Sequence, residues 1–208
     1  MNDSFWNKFY NRPPNEIPWQ NTQADWFKEL VDIKVVNGKT ALDLGCGTGM
    51  KSIYLAQYGF EEIIGIDIAP KAIEIAKQNA VKKEVSDICK FVTGDITNWN
   101  FIEKDKKFDL ILDWAAIHCL PPDEMSSYAQ KITNHSHKET LLLIRAFSSE
   151  SEEGFFVENN EEVETNVYFL SISKIKKLFP EFEILKHNKS LPRTKKGYFF
   201  IEVLMKKI

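Results

Sequence analysis

From Lys39 to Phe147 the chain alternates short apolar runs with amphipathic stretches, and that alternation leaves few architectures open. The runs KTALDL (39–44), EIIGID (62–67), ICKFVTGD (88–95), FDLILDWA (108–115) and ETLLLIRAF (139–147) have the length and content of buried strands. Between them, GMKSIYLAQYG closes on Gly59 and reads as a helix. PKAIEIAKQNAVKK is a helix with Pro70 in its first turn, where a missing N–H costs nothing. Its Ile73, Ala76, Ala80 and Val81 are expected on one apolar face. PDEMSSYAQKIT (122–133) and ISKIKKLF (172–179) are helical, the second stopping before Pro180. FEILKH (182–187) and YFFIEVLMKK (198–207) are strands joined too closely for a crossover helix, so they are expected antiparallel. The alternation predicts a doubly wound, Rossmann-like α/β sheet with right-handed crossovers.

Length and composition set the remaining bounds. A chain of 208 residues with 43% hydrophobic content is expected to form one domain with a sizeable core. Mean hydropathy is −0.32, and no apolar run approaches the ~18 residues of a membrane span. The opening MNDSFWNKFY has no basic segment followed by an apolar one, so no signal peptide is expected. The three cysteines, Cys46, Cys89 and Cys119, are odd in number and form no CxxC. They point to a reduced, cytoplasmic compartment and to small buried side chains. A net charge of −3 argues against a nucleic-acid partner. Residues 148–165 hold seven Glu and no Lys or Arg, and residues 174–208 hold ten Lys or Arg against three Glu. These read as an acidic loop and basic solvated faces. Two segments lie outside the alternation: the aromatic-rich 1–37 and the acidic 148–170, each long enough to cover a site.

The sharpest local signal is ALDLGCGTGMKS, residues 41–52. In an open α/β sheet, ligands sit beyond the carboxyl ends of the strands, which is where Gly45, Gly47 and Gly49 fall. Glycine lets a ligand approach the backbone, and the following helix offers free N–H groups. A dinucleotide fingerprint wants Gly or Ala where Met50 stands, and a phosphate-binding P-loop wants another frame. Asp43, two residues before Gly45, favours a ligand with cationic character. Asp67, 22 residues after Gly45, is placed to accept both hydroxyls of a ribose.

The run Asp43-Leu44-Gly45-Cys46-Gly47-Thr48-Gly49 resembles the first motif of the class I S-adenosylmethionine-dependent methyltransferases. The resemblance extends through Asp67, the TGDI stretch with Asp95 and Ile96, and Asp113 in FDLILDWAAIHCL, covering roughly residues 38–208. It implies a seven-stranded sheet, mostly parallel with one antiparallel strand, in the order 3-2-1-4-5-7-6. It implies S-adenosyl-L-methionine as cofactor, with Asp43, Gly45, Cys46, Gly47 and Gly49 around the loop, and Asp67 and Ile68 at the ribose. Asp95 and Ile96 would stand at the adenine, and Asp113 beside the methionine part. No metal is expected: His135 and His137 flank Ser136 without further ligands and read as solvated loop histidines.

The acceptor is less directly written. Base-modifying relatives often carry Asn/Asp-Pro-Pro-Tyr/Phe where this chain has Asp113-Trp114-Ala115-Ala116. The stretch SFWNKFYNRPPNEIPWQNTQADWF, with Trp6, Tyr10, Trp19 and Trp26, is similar to the small-molecule thiol, halide and tellurite-type branch. There the N-terminal segment folds over the cofactor, so Tyr10 and Trp19 are expected at the cofactor and Trp6, Trp114 and His118 at the acceptor. Trp26 and Phe27 are expected in the core. His118, five residues past Asp113, is the candidate general base. The expected activity is methyl transfer to a small molecule. The alternatives are a nucleic-acid or protein methyltransferase, a non-catalytic S-adenosylmethionine-binding protein, and a nicotinamide oxidoreductase.

Overall fold

The computed structural model describes residues 3–17, 19, 25–98, 102–151, 154–160, 163–190 and 198–208. Helix α1 (Asp3–Tyr10) and helix α2 (Asp25–Asp32) precede the alternating region. Then come β1 (Thr40–Leu44), α3 (Met50–Gln57), β2 (Glu62–Asp67), α4 (Pro70–Lys82), β3 (Cys89–Thr93) and β4 (Phe108–Trp114). A 3-10 turn (Ile117–Cys119) leads into α5 (Pro122–Asn134) and β5 (Ser136–Ser149). The chain ends with β6 (Phe155–Asn160), β7 (Val163–Tyr168), α6 (Ile172–Leu178), β8 (Phe182–Lys189) and β9 (Tyr198–Lys207).

Seven strands form one sheet in the order β3-β2-β1-β4-β5-β9-β8. With β6 and β7 left out of the count, this is the expected 3-2-1-4-5-7-6. Strands β1 to β5 pair in parallel, and β9 runs antiparallel to both β5 and β8. Each helix follows from local rules. Pro70 and Pro122 stand in the first turns of α4 and α5, and Asp123 and Glu124 complement the positive end of α5. Ser171 caps α6 by accepting the Lys174 N–H.

The sheet buries both faces, so its central strands read as continuous apolar runs rather than alternating ones. On one face Leu42, Leu44, Ile111 and Ile144 pack with Tyr128 and Ile132 of α5, Ile175 of α6 and Phe179 just after it. On the other, Ala41, Leu110, Leu112 and Leu143 pack with Phe27, Leu30, Ile53, Ile73 and Ala76 of α2, α3 and α4. Phe27 is core as expected, and Trp26 is partly buried against it. Cys89 and Cys119 are buried and Cys46 is half-buried, all as free thiols.

Three expectations change. Val81 is 65% exposed, and Ala72 takes its place on the buried face of α4. Three-residue and four-residue steps from Ile73 reach Ala76 and Ala80, and one further residue turns ~100° away. The segment 148–170 is not an irregular acidic loop. Strand β5 runs on to Ser149, and β6 and β7 form an antiparallel two-stranded sheet of their own. Its Phe, Val, Thr and Tyr content is that of a hairpin, which the run of glutamates conceals. His135 and His137 are not solvated loop residues. His135 is buried at the end of α5, its Nδ1 2.8 Å from the Lys106 carbonyl oxygen, and His137 lies in β5, its partly exposed ring held with Nε2 3.0 Å from Oδ1 of Asp109 in β4. No cluster of metal-ligating side chains occurs among the described residues.

Candidate functional site

Parallel pairing aligns the ends of β2, β1 and β4, with Leu44 opposite both Ile66 and Asp113. The residues that follow these strands therefore converge at one edge. The loop after β1 is tied to β2 twice over. The Gly45 and Cys46 N–H groups donate to the Ile66 carbonyl at 2.8 and 2.9 Å, and the Gly47 N–H donates to Asp67 Oδ2 at 2.8 Å. Gly47 has φ +55° and Gly49 φ +74°. A Cβ on Gly47 would stand 2.8 Å from the Tyr10 hydroxyl, and one on Gly49 2.5 Å from the Phe91 ring. These glycines answer to protein packing as well as to the left-handed backbone.

Asp67 is 8% exposed. Its second oxygen accepts the Ala69 N–H at 2.9 Å. Burial pushes the carboxyl up to about 6, against the opposing Ala69 and Gly47 N–H groups. A carboxylate has about four acceptor positions; Gly47 and Ala69 take two and the Ile68 N–H acts on it as well, which leaves acceptor capacity beside the loop for a diol. Asp43 lies under the loop and accepts the Ser52 hydroxyl at 2.6 Å. Burial raises its pKa, with Ser52 and Lys51 opposing. Asp43 therefore fastens α3 to β1. Ser52 is a partner that sequence alone did not single out.

The N-terminal segment closes over this edge. Asn7 accepts the Lys71 N–H at 2.9 Å and so satisfies a free donor in the first turn of α4. Tyr10 is buried above Gly47 and accepts the Trp19 indole N–H at 3.1 Å. Burial and then the Asp67 charge hold the Tyr10 hydroxyl well above its ordinary pKa. Tyr10, Ile17, Ala69 and Ala72 form an apolar cluster on which Trp6 and Trp19 pack. Tyr10 and Trp19 thus stand at the loop and Asp67. Trp6 is engaged with Trp19 at 5.6 Å between ring centroids and faces α4 rather than β4. Helix α1 also packs against both hairpin strands, and β7 packs on the 3-10 turn after β4.

Past β3, Asp95 forms a tight turn. Its Oδ1 accepts the Thr97 N–H at 2.7 Å and the Thr97 hydroxyl at 2.8 Å. Ile96 is buried and Ile68 is half-buried. Asp113 departs from the expected placement. Its carboxylate is 0% exposed and is spent within the protein. Oδ2 accepts the Tyr128 hydroxyl at 2.5 Å, and Oδ1 accepts the Ala116 and Ile117 N–H groups at 2.8 and 3.1 Å. It shapes the turn after β4 rather than presenting a carboxylate beside the methionine part. Ala115, in that turn, has φ +81°, a conformation that costs a residue with a side chain.

Two acceptor-side expectations also change. Trp114 is 9% exposed and lies in the core face, 5.7 Å from the Phe27 ring, with Arg145 Cζ at 5.2 Å and Lys51 Nζ at 5.3 Å from its centroid. Its ring is not a wall open to substrate. His118 is 3% exposed, and its Nδ1 accepts the Phe147 N–H at 3.3 Å. That bond places the ring proton on Nε2. Burial, then the Arg145 charge, lower its pKa to about 3, which makes it a poor general base near neutrality.

The His118 shift has a measurable sign. A histidine kept neutral in the fold contributes stability above its unfolded pKa of ~6.5 and loses it as pH falls. We expect the urea-unfolding stability of the native chain, relative to His118→Gln, to drop by about 2 kcal/mol between pH 7.5 and pH 5. A difference that does not vary with pH would show that His118 titrates normally.

Met50 is 55% exposed, so its size meets no packing limit against the strand. Met50 therefore does not by itself disfavour a dinucleotide. The donor and acceptor set discriminates instead. A carboxylate at the end of β2 and a second one under the glycine loop suit a ribose and a ligand with cationic character better than a pyrophosphate.

Comparisons with known proteins agree. The family model described as a methyltransferase domain matches residues 36–192. A 2-heptyl-1-hydroxyquinolin-4(1H)-one methyltransferase from Mycobacteroides abscessus is 30% identical over 152 residues, 71% of this chain. The ribosomal protein L11 methyltransferase of Tolumonas auensis is 47% identical over 62 residues, 30% of this chain. The chain spans 65% and 20% of the lengths of these two relatives. Among solved structures, Burkholderia thailandensis 1,6-didemethyltoxoflavin-N1-methyltransferase, with bound S-adenosylhomocysteine, matches with a TM-score of 0.73 at 16% identity, covering 91% of this chain and 80% of that one. TehB from Haemophilus influenzae matches with a TM-score of 0.71 at 19% identity, covering 94% and 67%. The chain belongs to the class I S-adenosylmethionine-dependent methyltransferase family, whose methyl donor fits the residues at this edge. No helix among the described residues is long and apolar enough to cross a membrane.

Proposed function

We propose that this chain transfers the methyl group of S-adenosylmethionine to a small-molecule acceptor by in-line displacement. The observation that carries this reading is the cover over the sheet edge. Helix α1 sits on α4 and on both hairpin strands, and Tyr10 and Trp19 lie over the glycine loop. An edge roofed by the chain's own N-terminal segment and hairpin suits a compact acceptor more than a folded protein or a duplex. The quinolone and toxoflavin enzymes among its relatives act on small heterocycles, which supports the same reading. The ribosomal-protein relatives match over a much shorter stretch.

In this reading Asp67 holds the ribose, the backbone of Gly45, Cys46, Gly47 and Gly49 lines the cofactor, and Ile68, Asp95 and Ile96 stand at the adenine. Tyr10 and Trp19 cover the bound cofactor, and Asp43 and Asp113 position the two loops. The sulfonium supplies an activated methyl group. The chain's contribution is alignment and exclusion of water, and alignment alone can lower a barrier by roughly 7–11 kcal/mol. His118 is held neutral, so the acceptor is one that needs little help with deprotonation, such as a thiolate or an acidic hydroxyl or ring nitrogen.

The test begins with thermal-shift titrations of S-adenosylmethionine, S-adenosylhomocysteine and NAD. A ligand at 100 times its Kd stabilises the fold by ~2.7 kcal/mol, which is a shift of several degrees here. Stabilisation by the two adenosyl compounds alone is expected. Turnover is then assayed with small thiols, amines and hydroxylated heterocycles, and with ribosomal protein as a control. Methylation of the protein alone would overturn the acceptor assignment, and cofactor binding without any turnover would favour a non-catalytic binding protein. Deleting residues 1–20 is expected to reduce turnover at least ~100-fold by opening the site to water. Full turnover in the truncated chain would remove the basis for a roofed site.

A further inference from the structure

At the carboxyl end of β5, four elements bring aromatic side chains together beside the hairpin. Phe147 of β5 stacks on Phe200 of β9 at 4.1 Å between ring centroids and meets the Tyr198 ring edge-on at 5.6 Å. Phe169, between β7 and α6, lies 5.8 Å from Tyr198. His118, in the 3-10 turn after β4, lies 4.8 Å from Phe147 with its ring tilted by 58°. Backbone bonds hold this set in place. The Leu170 N–H donates to the Phe147 carbonyl at 2.8 Å, the Phe169 N–H donates to the Gly154 carbonyl at 3.0 Å, and β7 packs on the 3-10 turn. Phe147, Phe169 and Tyr198 stay half-buried. Half-buried rings at a covered sheet edge suit a flat aromatic guest that can meet them face or edge.

His118 adds a polar contact of fixed character. Its Nδ1 is occupied by the Phe147 N–H, so Nε2 carries the proton. That Nε2 makes no hydrogen bond among the described residues, yet it is not sealed from solvent as the Trp114 indole nitrogen is. A donor held this firmly and left without a partner marks where an acceptor atom belongs. The nearby charge says which kind. Arg145 acts on His118, and its guanidinium lies 3.9 Å from the centroid of Phe200, the ring stacked on Phe147. Glu202 pairs with that guanidinium at 3.4 Å, but among the described groups no carboxylate acts on His118 itself. A ring N–H beside a guanidinium suits an oxygen that carries negative charge and disfavours a cation. We propose that the Nε2–H of His118 and the rings of Phe147 and Tyr198 form the acceptor site, and that the acceptor is a flat aromatic molecule with an ionised ring oxygen, a phenolate or enolate.

This inference rests on the function proposed above and narrows its substrate class. Asp67 follows β2, the glycine loop follows β1 and His118 follows β4, so the ribose position and the aromatic set stand on opposite sides of the glycine loop. An ionised acceptor brings its own nucleophilic electron pair, on the oxygen or on a ring atom conjugated with it. That pair forms the bond to the methyl carbon, and the carbon–sulfur pair returns to the sulfonium sulfur. The negative charge of the acceptor and the positive charge of the sulfonium vanish together. No proton passes through His118, in keeping with an imidazole that burial holds neutral. The histidine orients the ring and selects the anion.

The experiment is calorimetric titration of the full chain, saturated with S-adenosylhomocysteine, with 4-nitrophenolate, 4-nitroanisole and hexanoate. The first two share a ring and differ in the ionised oxygen, and the third is an anion without a ring. The native complex is expected to prefer 4-nitrophenolate over each of the others by about tenfold or more. His118→Phe removes the N–H and keeps a ring, so the preference over 4-nitroanisole is lost while 4-nitroanisole itself binds as before. His118→Gln offers an amide N–H in its place and restores part of the preference. If His118→Phe does not fold, Tyr198→Leu carries the test. It weakens both aromatic probes and leaves hexanoate unchanged, and full affinity for 4-nitrophenolate in that variant removes the aromatic wall. A native complex that binds 4-nitrophenolate no better than 4-nitroanisole or hexanoate overturns the proposal, as does an undiminished preference in His118→Phe. Failure of the native chain to bind S-adenosylhomocysteine at all would instead overturn the methyltransferase reading. The same titrations of the ligand-free chain would then decide the aromatic site.

Discussion

Asp67→Ala is expected to weaken S-adenosylhomocysteine binding at least ~100-fold, as two hydrogen bonds from ribose hydroxyls to a charged acceptor are each worth about 1.5–3 kcal/mol. The same substitution removes the acceptor for the Gly47 and Ala69 N–H groups. Leaving both unpaired costs about 1–3 kcal/mol each. Two measurements separate these effects. Calorimetry reads the affinity, and urea unfolding of the ligand-free chain reads the fold. Lost stability with unchanged affinity would mean that Asp67 only ties the loop to β2, and the ribose assignment would be wrong. Asp67→Asn is the finer probe. Its amide oxygen can still accept, but its NH₂ faces one backbone donor, so it should restore part of the stability and little of the affinity.

Asp113→Ala is expected to cost at least ~3 kcal/mol of stability, because three buried donors lose their partner at once. These are the Tyr128 hydroxyl and the Ala116 and Ile117 N–H groups. Tyr128→Phe should cost about 1.5–3 kcal/mol, the range for a hydrogen bond to a charged group. The pH dependence carries a sign. Burial, opposed by Tyr128, holds the Asp113 carboxyl at about 6 rather than its ordinary 3.8. The folded chain then binds this proton more tightly than the unfolded chain. That contribution is complete below about pH 4 and is lost as pH rises through about 6. The cost of Asp113→Ala should therefore be greater at pH 5 than at pH 7.5, by about 1 kcal/mol. A cost below 1 kcal/mol at both values would show that the turn after β4 does not depend on this carboxylate.

Much of the fold is legible in the chain because it rests on short-range pattern. Strand β9 runs from Tyr198 to Lys207, the limits that its apolar run implies. Helix α4 begins at Pro70, where a proline is tolerated. The hairpin β6–β7 was hidden because two-fold alternation is hard to see through many glutamates. The length of β5 was underestimated, since Ser136, Ser148 and Ser149 look like turn residues until β4 and β9 pair with them.

The candidate site divides along the same line. Glycines 45, 47 and 49 and Asp67 are readable because backbone conformation and strand ends are local matters. Tyr128 and Ser52 were not. Each meets its carboxylate, Asp113 or Asp43, only after a helix has packed on the sheet. Met50 shows the reverse error, as a side chain assumed to face the strand in fact points to solvent.

The sequence by itself determined the order of the alternating strands and helices from β1 to β5, the antiparallel pair that ends the chain, the place of the glycine loop and the acidic residue at the end of β2. Periodicity and positive-φ glycines are written residue by residue, so they survive without any knowledge of neighbours. Only the tertiary structure decided that Asp113 is consumed inside the protein, that His118 is held neutral, and that Lys51 stands over the Trp114 ring. Those outcomes depend on burial and on charges brought together across the sheet. The electrostatic character of a buried group belongs to its surroundings rather than to its own place in the chain.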